Sequence, residues 1–559
     1  MPSITSLSFF STVNYASATS PSLPLFPFPR HTCKSKVSCK VGDHNQNPKG
    51  NRRDVLIGLG GGLGAAASFT YNPFATADPV VTDHTNCGDP NLPAGAKPTK
   101  CCPPNSNTVT DFVLPSNQPL RIRQPAHALS DDNINKYKEA IKLMKALPDD
   151  DPRSFLQQGK IHCAYCHDSY YEEGCPDKKI QVHFSCIFAP FHRWYLYFYE
   201  RILGSLIGDP TFALPFWNWD HPDGMEIPAI FADRRSPLYN PLRNANHQPP
   251  TLLDLDWNKN DVDTSGDVEK NLKKVHKFIY QVKRPTCFFG RSFVTAGSLE
   301  SLHNTLHSWS GDRTQPNGED MGSFYSSGRD PLFYGHHSNV DRLWTVWKSF
   351  GREDLNNRDY LESSFLFYNE NKNLVRVKTK DCLDTLKLGY EYQPVEVPWK
   401  DAKSSATTSK AQRMAKPFTT TKALDLPLIL FEEPVSTVVK RPQKSRSQKE
   451  KDLKEETLVF DIQFNKRGDV KFDVLIDWEG NPKIANPKNR EFAGSFVNVN
   501  HADSSRDTNV KYAIGITELL EDLEADDDDS IVVTLVPRYG RWVIIKDITI
   551  NFEECENKK

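Results

Sequence analysis

A chain of 559 residues with 69 Lys and Arg against 71 Asp and Glu carries a formal charge of -2. No dense basic stretch lies beside its histidines, so nucleic acid is not an expected partner. The length suffices for two or three domains with substantial cores. Its 12 cysteines are too dilute for a disulfide scaffold and too many for a typical small reduced enzyme, which predicts a few bridges around an ordinary core.

Residues 1 to about 50 are rich in Ser, Thr and Pro, carry Arg30, Lys34, Lys36 and Lys40, and hold one acidic residue, Asp43; this is a transit-peptide composition. Next come Arg52-Arg53-Asp54, an apolar run from Val55 to Phe69, and Ala75-Thr76-Ala77 before Asp78. A twin-arginine pair, a short apolar segment and an A-x-A site form a second export signal, and the run is too short for a stable membrane span. Residues 1–77 therefore predict import into a chloroplast and then passage into the thylakoid lumen, with a mature chain starting near Asp78.

Ser130 is a candidate N-cap for an amphipathic helix through Ile134, Tyr137, Ile141, Met144 and Leu147. Further helical patterns cover 182–204, 267–283, 299–309 and 337–349, so the core is expected to be mainly α, a four-helix bundle able to hold two metals. Between Ile161 and Arg193 stand His162, His183 and His192; LHNTLHSW supplies His303 and His307, and DPLFYGHHSNVDRLW supplies His336 and His337. Imidazoles suit copper, zinc, iron and nickel, whereas calcium or magnesium would need clustered carboxylates and carbonyls. Six imidazoles in two sets of three point to two ions, with His336 or His337 completing the second set.

Spacing supports the second set directly, because His303 and His307, four apart, share one helix face. His183 and His192 are nine apart, half a rotation at about 3.6 residues per turn, so one straight helix cannot aim both at one metal. Pro190 is expected to break the helix and open a new one with His192 in its first turn, whose core stripe is Trp194, Tyr195, Phe198 and Ile202. Cys163-Ala-Tyr-Cys166-His167 also fits a haem-attachment pattern, but haem leaves the other paired histidines unexplained. The stretch from Asp261 starts like a calcium loop and fails at Leu272, where a Glu is required. Asp341, four residues after His337, either orients a ligand imidazole, pairs near Arg342, or is a helix-surface charge.

From 400 to 456 the composition shifts to Lys, Ser, Thr and Arg, expected to be a solvated, cleavable linker with an apolar patch, Leu424 to Phe431, that packs back. The tail then alternates in LVFDIQFN, VKFDVLIDW, SIVVTLVPR and WVIIKDITINF, which predicts an all-β sandwich over 457–559.

HCAYC, VHFSCIFAPFHRWYLYFYERILG, HNTLHSWSGD and DPLFYGHHSNVDRLW, in that order, resemble the plant polyphenol oxidases (catechol oxidases and tyrosinases), a dinuclear type-three copper family. The resemblance covers essentially the whole chain, including Tyr390-Glu391-Tyr392 and the KFDV run from Lys471 to Val474. It implies a catalytic domain over 78–399 with two copper ions held by His162, His183 and His192 and by His303, His307 and His337. It implies a thioether between Cys166 and His183, and disulfides Cys87–Cys102 and Cys101–Cys163. Phe324 corresponds to the gate over the copper, Glu300 resembles the family's water-holding glutamate although many members place it one residue earlier, and Asn304 could polarise the same water. His167 stands where the family more often has an acidic residue and is expected to be a partly exposed non-ligand. The implied activity is oxidation of o-diphenols to o-quinones by O2, extending to o-hydroxylation of monophenols. The C-terminal domain covers the site in the latent form until a protease cuts the linker. A haemocyanin-like O2 carrier and a specialised aurone-forming oxidase share the same ligand plan.

Overall fold

The structure is a computed structural model that describes residues 78–260, 266–404, 426–465, 468–499, 507–540 and 543–554. The two signals within 1–77, the calcium-loop look-alike from 261 to 265 and the linker segment 405–425 lie outside the described residues. Among the described residues no helix is long and apolar enough to cross a membrane.

Four helices carry histidines of the site, and a fifth packs against two of them. Helix α1 (Asp131–Ala146) starts where expected, the Ser130 side chain accepting from the Asn133 N–H, and buries Tyr137, Ile141 and Met144. Helix α2 (Phe155–Cys166) is capped in the same way by Ser154 and ends with His162 and Cys166 on buried turns. Helix α3 (Phe188–Leu206) begins six residues later than expected. His183 therefore precedes the helix, because Phe184 takes a left-handed φ of 54° that a helix cannot contain, and Pro190 falls inside the first turn. Helix α4 (Ser298–Ser310) matches the expected span. Helix α5 (Pro331–Ser349) starts six residues earlier than expected, since the Asp330 side chain caps the Leu332 N–H and Pro331 presets the first turn. The expected 267–283 helix is split into Val268–Val275 and a π turn, His276–Tyr280.

Helix α3 is apolar around nearly its whole circumference and is accordingly buried on nearly all faces. Its two charged core residues are paired. Glu200 takes Arg123 Nε at 2.8 Å, and Arg193 Nε lies 2.5 Å from Asp341. Asp341, one of whose readings was a surface charge, is buried and also accepts from the hydroxyls of Tyr390 and Tyr392 at 2.6 and 2.5 Å. Burial opposes its ionisation, but Arg193 and Arg123 outweigh that and hold the carboxyl below the usual range. The Cys101–Cys163 disulfide ties the N-terminal arm to α2 and Cys87–Cys102 closes a loop within that arm, so Cys163 has no thiol to offer a haem.

The C-terminal part consists of strands β2 (Leu428–Leu430), β3 (Val435–Lys440), β4 (Lys454–Asn465), β5 (Val470–Ile476), β6 (Phe492–Asn498), β7 (Asp507–Gly515), β8 (Ser530–Tyr539) and β9 (Val543–Glu554). A short strand of the helical part, β1 (Thr295–Ala296), joins them, giving the sheet orders β2-β9-β4-β7-β1 and β3-β8-β5-β6. Alternate residues Leu458, Phe460, Ile462 and Phe464 of β4 share one apolar cluster with Phe472, Val474, Phe496, Val533 and Leu535 of the other sheet. Strands β2 and β3 fall inside the stretch expected to be linker, so paired structure begins at Leu428 rather than 457. Arg441, expected in a solvated basic run, is instead buried against Glu456 at 2.8 Å and donates to the carbonyls of Ala525, Asp526 and Asp528.

Candidate metal centre

His303 and His307 project from the same face of α4, and His337 meets them from α5. Their three Nε2 atoms lie 2.9, 3.3 and 3.3 Å apart. Tetrahedral ligands ~2.0 Å from one ion sit ~3.3 Å apart, so this triangle has the size of a metal site. The opposite nitrogens set the tautomers. Nδ1 of His307 donates to the Met321 carbonyl at 2.7 Å and Nδ1 of His303 to the Glu300 carbonyl at 3.2 Å, which leaves Nε2 lone pairs facing one another, an arrangement that a cation relieves. His336 also lies within reach of this group, but its ring is stacked on His303, 5.1 Å between centroids and 7° between planes, and borders Trp217 and Trp219.

The first set comes from less regular backbone. His162 stands on α2, His183 on the loop and His192 in α3, with ring centroids 5.4 to 5.6 Å apart. Nδ1 of His162 donates to the Phe324 carbonyl and Nδ1 of His192 to the Phe188 carbonyl, both at 2.8 Å. Nε2 of both rings is buried with no hydrogen-bond partner, the pattern expected of neutral ligand imidazoles. Ligand atoms of His162, Cys166 and His183 lie within 4.8 Å of one another, which puts the Cys166 thiol beside the ring it is expected to modify. The two sets adjoin: His192 stacks on His337 at 4.2 Å and 15°.

Burial holds five of these imidazoles neutral. It lowers His162, His303 and His337 well below the ordinary value, His192 to about 3 and His307 to about 4. The Phe324 ring lies flat on His183, 3.7 Å between centroids and 7° between planes; its backbone carbonyl, which residue type could not reveal, orients His162. Phe188 and Phe333, aromatic neighbours that motif reading passed over, pack on His303 at 4.8 Å and on His337 at 4.2 Å. His167 is fully buried rather than partly exposed, its Nδ1 3.0 Å from the Asn91 carbonyl.

Glu300 faces the loop of the first set. Its Oε1 accepts the Phe184 N–H at 2.6 Å, and burial pushes the carboxyl up to about 8 although the N–H groups of Phe184 and Ser185 favour its charged form. Asn304, one turn further along α4, donates Nδ2–H to the Val497 carbonyl of β6 at 2.8 Å.

Two adjoining clusters of buried neutral imidazoles define a metalloprotein of the soft-to-borderline ions. The chain matches the common central domain of tyrosinase over residues 152–349, the polyphenol oxidase middle domain over 354–405 and the chloroplastic polyphenol oxidase C-terminal domain over 426–552. It is 48% identical to a chloroplastic polyphenol oxidase of Malus domestica across 94% of this chain and 93% of that one. It is 44% identical to aureusidin synthase of Antirrhinum majus across 93% and 98%. The solved structure of latent apple tyrosinase superposes with a TM-score of 0.74 at 49% identity, covering 80% of this chain and all of the other. The chain belongs to the polyphenol oxidase family and is a copper-dependent oxidase with a latent-polyphenol-oxidase fold.

Proposed function

We propose that the chain is a latent dicopper polyphenol oxidase that converts o-diphenols to o-quinones with O2. The observation that carries this reading is the pair of adjoining imidazole triads. His162, His183 and His192 would hold one copper, and His303, His307 and His337 the other. Copper bound there supplies the reversible one-electron changes by which O2 is reduced to water as two catechols are oxidised. A Cys166–His183 thioether would fix the ring least constrained by regular backbone.

The chain's own residues set access and proton movement. The Phe324 ring, flat on His183, narrows the approach and offers a phenol a stacking face. Glu300 and Asn304 stand one turn apart, each with a buried acceptor lacking a partner, Oε2 and Oδ1, which suits the two protons of a single water. A carboxyl with a pKa near neutrality matches a base that takes the proton of a monophenol, whose own value is about 10. That supports hydroxylation of monophenols as a second activity of the same site, and the aureusidin synthase relative favours a specialised phenol as an alternative natural substrate.

The bundle of histidine-bearing helices over 78–399 is the catalytic domain, and the two C-terminal sheets form the sandwich that covers it. A protease acting in the linker starts activation. The transit composition and the chloroplastic relative support a chloroplast address, and the second signal favours onward passage into the thylakoid lumen. Copper analysis with O2 uptake on catechol and tyramine tests the reading: two coppers with catechol oxidation are expected from the uncovered enzyme, and reversible O2 binding without turnover would favour a carrier.

A further inference from the structure

The two large hydrophobic clusters among the described residues exchange residues. Phe184 and Ala296, both from the helical part, belong to the cluster inside the C-terminal sheets, with the Phe184 ring 6.1 Å from Phe464 and 6.0 Å from Phe496. Leu475, Phe492, Val499 and Val536 of the C-terminal part belong to the cluster of the helical core. Backbone pairing crosses the same boundary, since β1 runs parallel to β7 with Thr295 opposite Lys511 and Ala296 opposite Tyr512. So does a buried charge group: Nζ of Lys471, the first residue of KFDV, lies 2.8 Å from Asp256 Oδ1 and 2.7 Å from Asn258 Oδ1, and Lys274 shares the same carboxylate at 2.9 Å.

We propose that the C-terminal domain is a bound inhibitory subunit whose hold does not depend on the linker, and that Phe184 is its anchor on the catalytic domain. This rests on the latent-oxidase reading for its functional meaning. None of these contacts uses residues 405–425, so cutting there removes none of them. It takes away the tether's contribution to effective concentration, on the order of millimolar for a short flexible linker. Separation would expose apolar side chains of both parts to water, break a strand pair and open a buried ion cluster, as in interfaces between permanent partners. Phe184 follows His183 directly and its N–H is held by Glu300, so the residue that anchors the domain also fixes the loop of the first histidine set. Linker cleavage is therefore permissive, and activity appears when a second event dislodges the domain.

The test uses the chain from Asp78 with a specific protease site placed between 405 and 425, cut to completion and run on a size-exclusion column at micromolar concentration. The expected result is one peak containing both fragments, with catechol turnover within about twofold of the uncut chain. Cut F184A and, from the opposite side, cut K471M are expected to separate into two peaks, while both variants uncut elute as wild type. Separation of the cut wild-type fragments on the column would overturn the proposal. Cut F184A and K471M that stay as one peak would overturn the anchor. Elution is read without activity, so a separated catalytic fragment that fails to oxidise catechol would count against the oxidase reading and leave this inference standing.

Discussion

The two histidine sets proposed to hold copper are built on different kinds of backbone. His303, His307 and His337 come from two capped, regular helices, and their nitrogens converge within 3.3 Å. His162, His183 and His192 come from a helix end, a loop with a left-handed Phe184 and the start of another helix. That less regular set is the one surrounded by covalent and interdomain restraints: the Cys101–Cys163 bridge on α2, Cys166 beside His183, and Phe184 seated among C-terminal phenylalanines. Regular helices suffice to converge one set of imidazoles, whereas the other set depends on restraints brought from distant parts of the chain.

Breaking the regular set should have the largest effect. His307→Ala removes one corner of the second triangle; copper should fall to about one per chain and catechol oxidation should be lost, measured by metal analysis and O2 uptake. Acid should act on both sets. The rings of His162, His192, His303, His307 and His337 are held neutral in the fold and protonate at about 6.5 when unfolded, so the unfolded chain binds more protons below that value. Stability of the copper-free protein should be intact above about pH 6.5 and decline as pH falls towards about 4 for His307 and about 3 for His192. Denaturant titration across that range reads the decline, and a flat profile would contradict buried neutral rings.

Asp341→Asn bears on both sets at once, since it leaves Arg193, next to His192, and Arg123 buried without their shared partner. A loss of about 3–5 kcal/mol is expected from chemical denaturation. Cys101→Ser discriminates between the sets. It should cost about 2–4 kcal/mol and, on exposure to a chelator, release copper from the first set before the second, followed as two phases of metal loss. Phe324→Ala should have the smallest effect, removing a ring stack while keeping the carbonyl that orients His162. KM for catechol should change by about tenfold or less with copper content unchanged.

How much of this was legible in the sequence follows the same division. The i, i+4 pair of α4 and the Ser130 cap are local rules, and both stand where spacing put them. The start of α3 was misplaced because nothing in VHFSC announces that Phe184 leaves the helical region; its conformation is set by a pocket some 280 to 310 positions away, at Phe464 and Phe496. Asp341 looked open to several readings because its partners, Arg123, Arg193 and Tyr390, come from separate segments. Arg441 sat in a run of charges whose solvated reading ignored the carbonyls that the turn at Ala525 to Asp528 aims at it. The alternation of β4 was plain, yet the short β2 and β3 were hidden by Pro and Lys around them.

The most direct test of a latent dicopper oxidase is copper per chain, measured together with O2 uptake on catechol, on the protein from Asp78 before and after the C-terminal domain is physically separated. About two coppers are expected in both states, with catechol oxidation that rises sharply only after separation. Zinc or haem in place of copper, or two coppers with O2 bound reversibly and no catechol turnover in the separated catalytic domain, would contradict that reading.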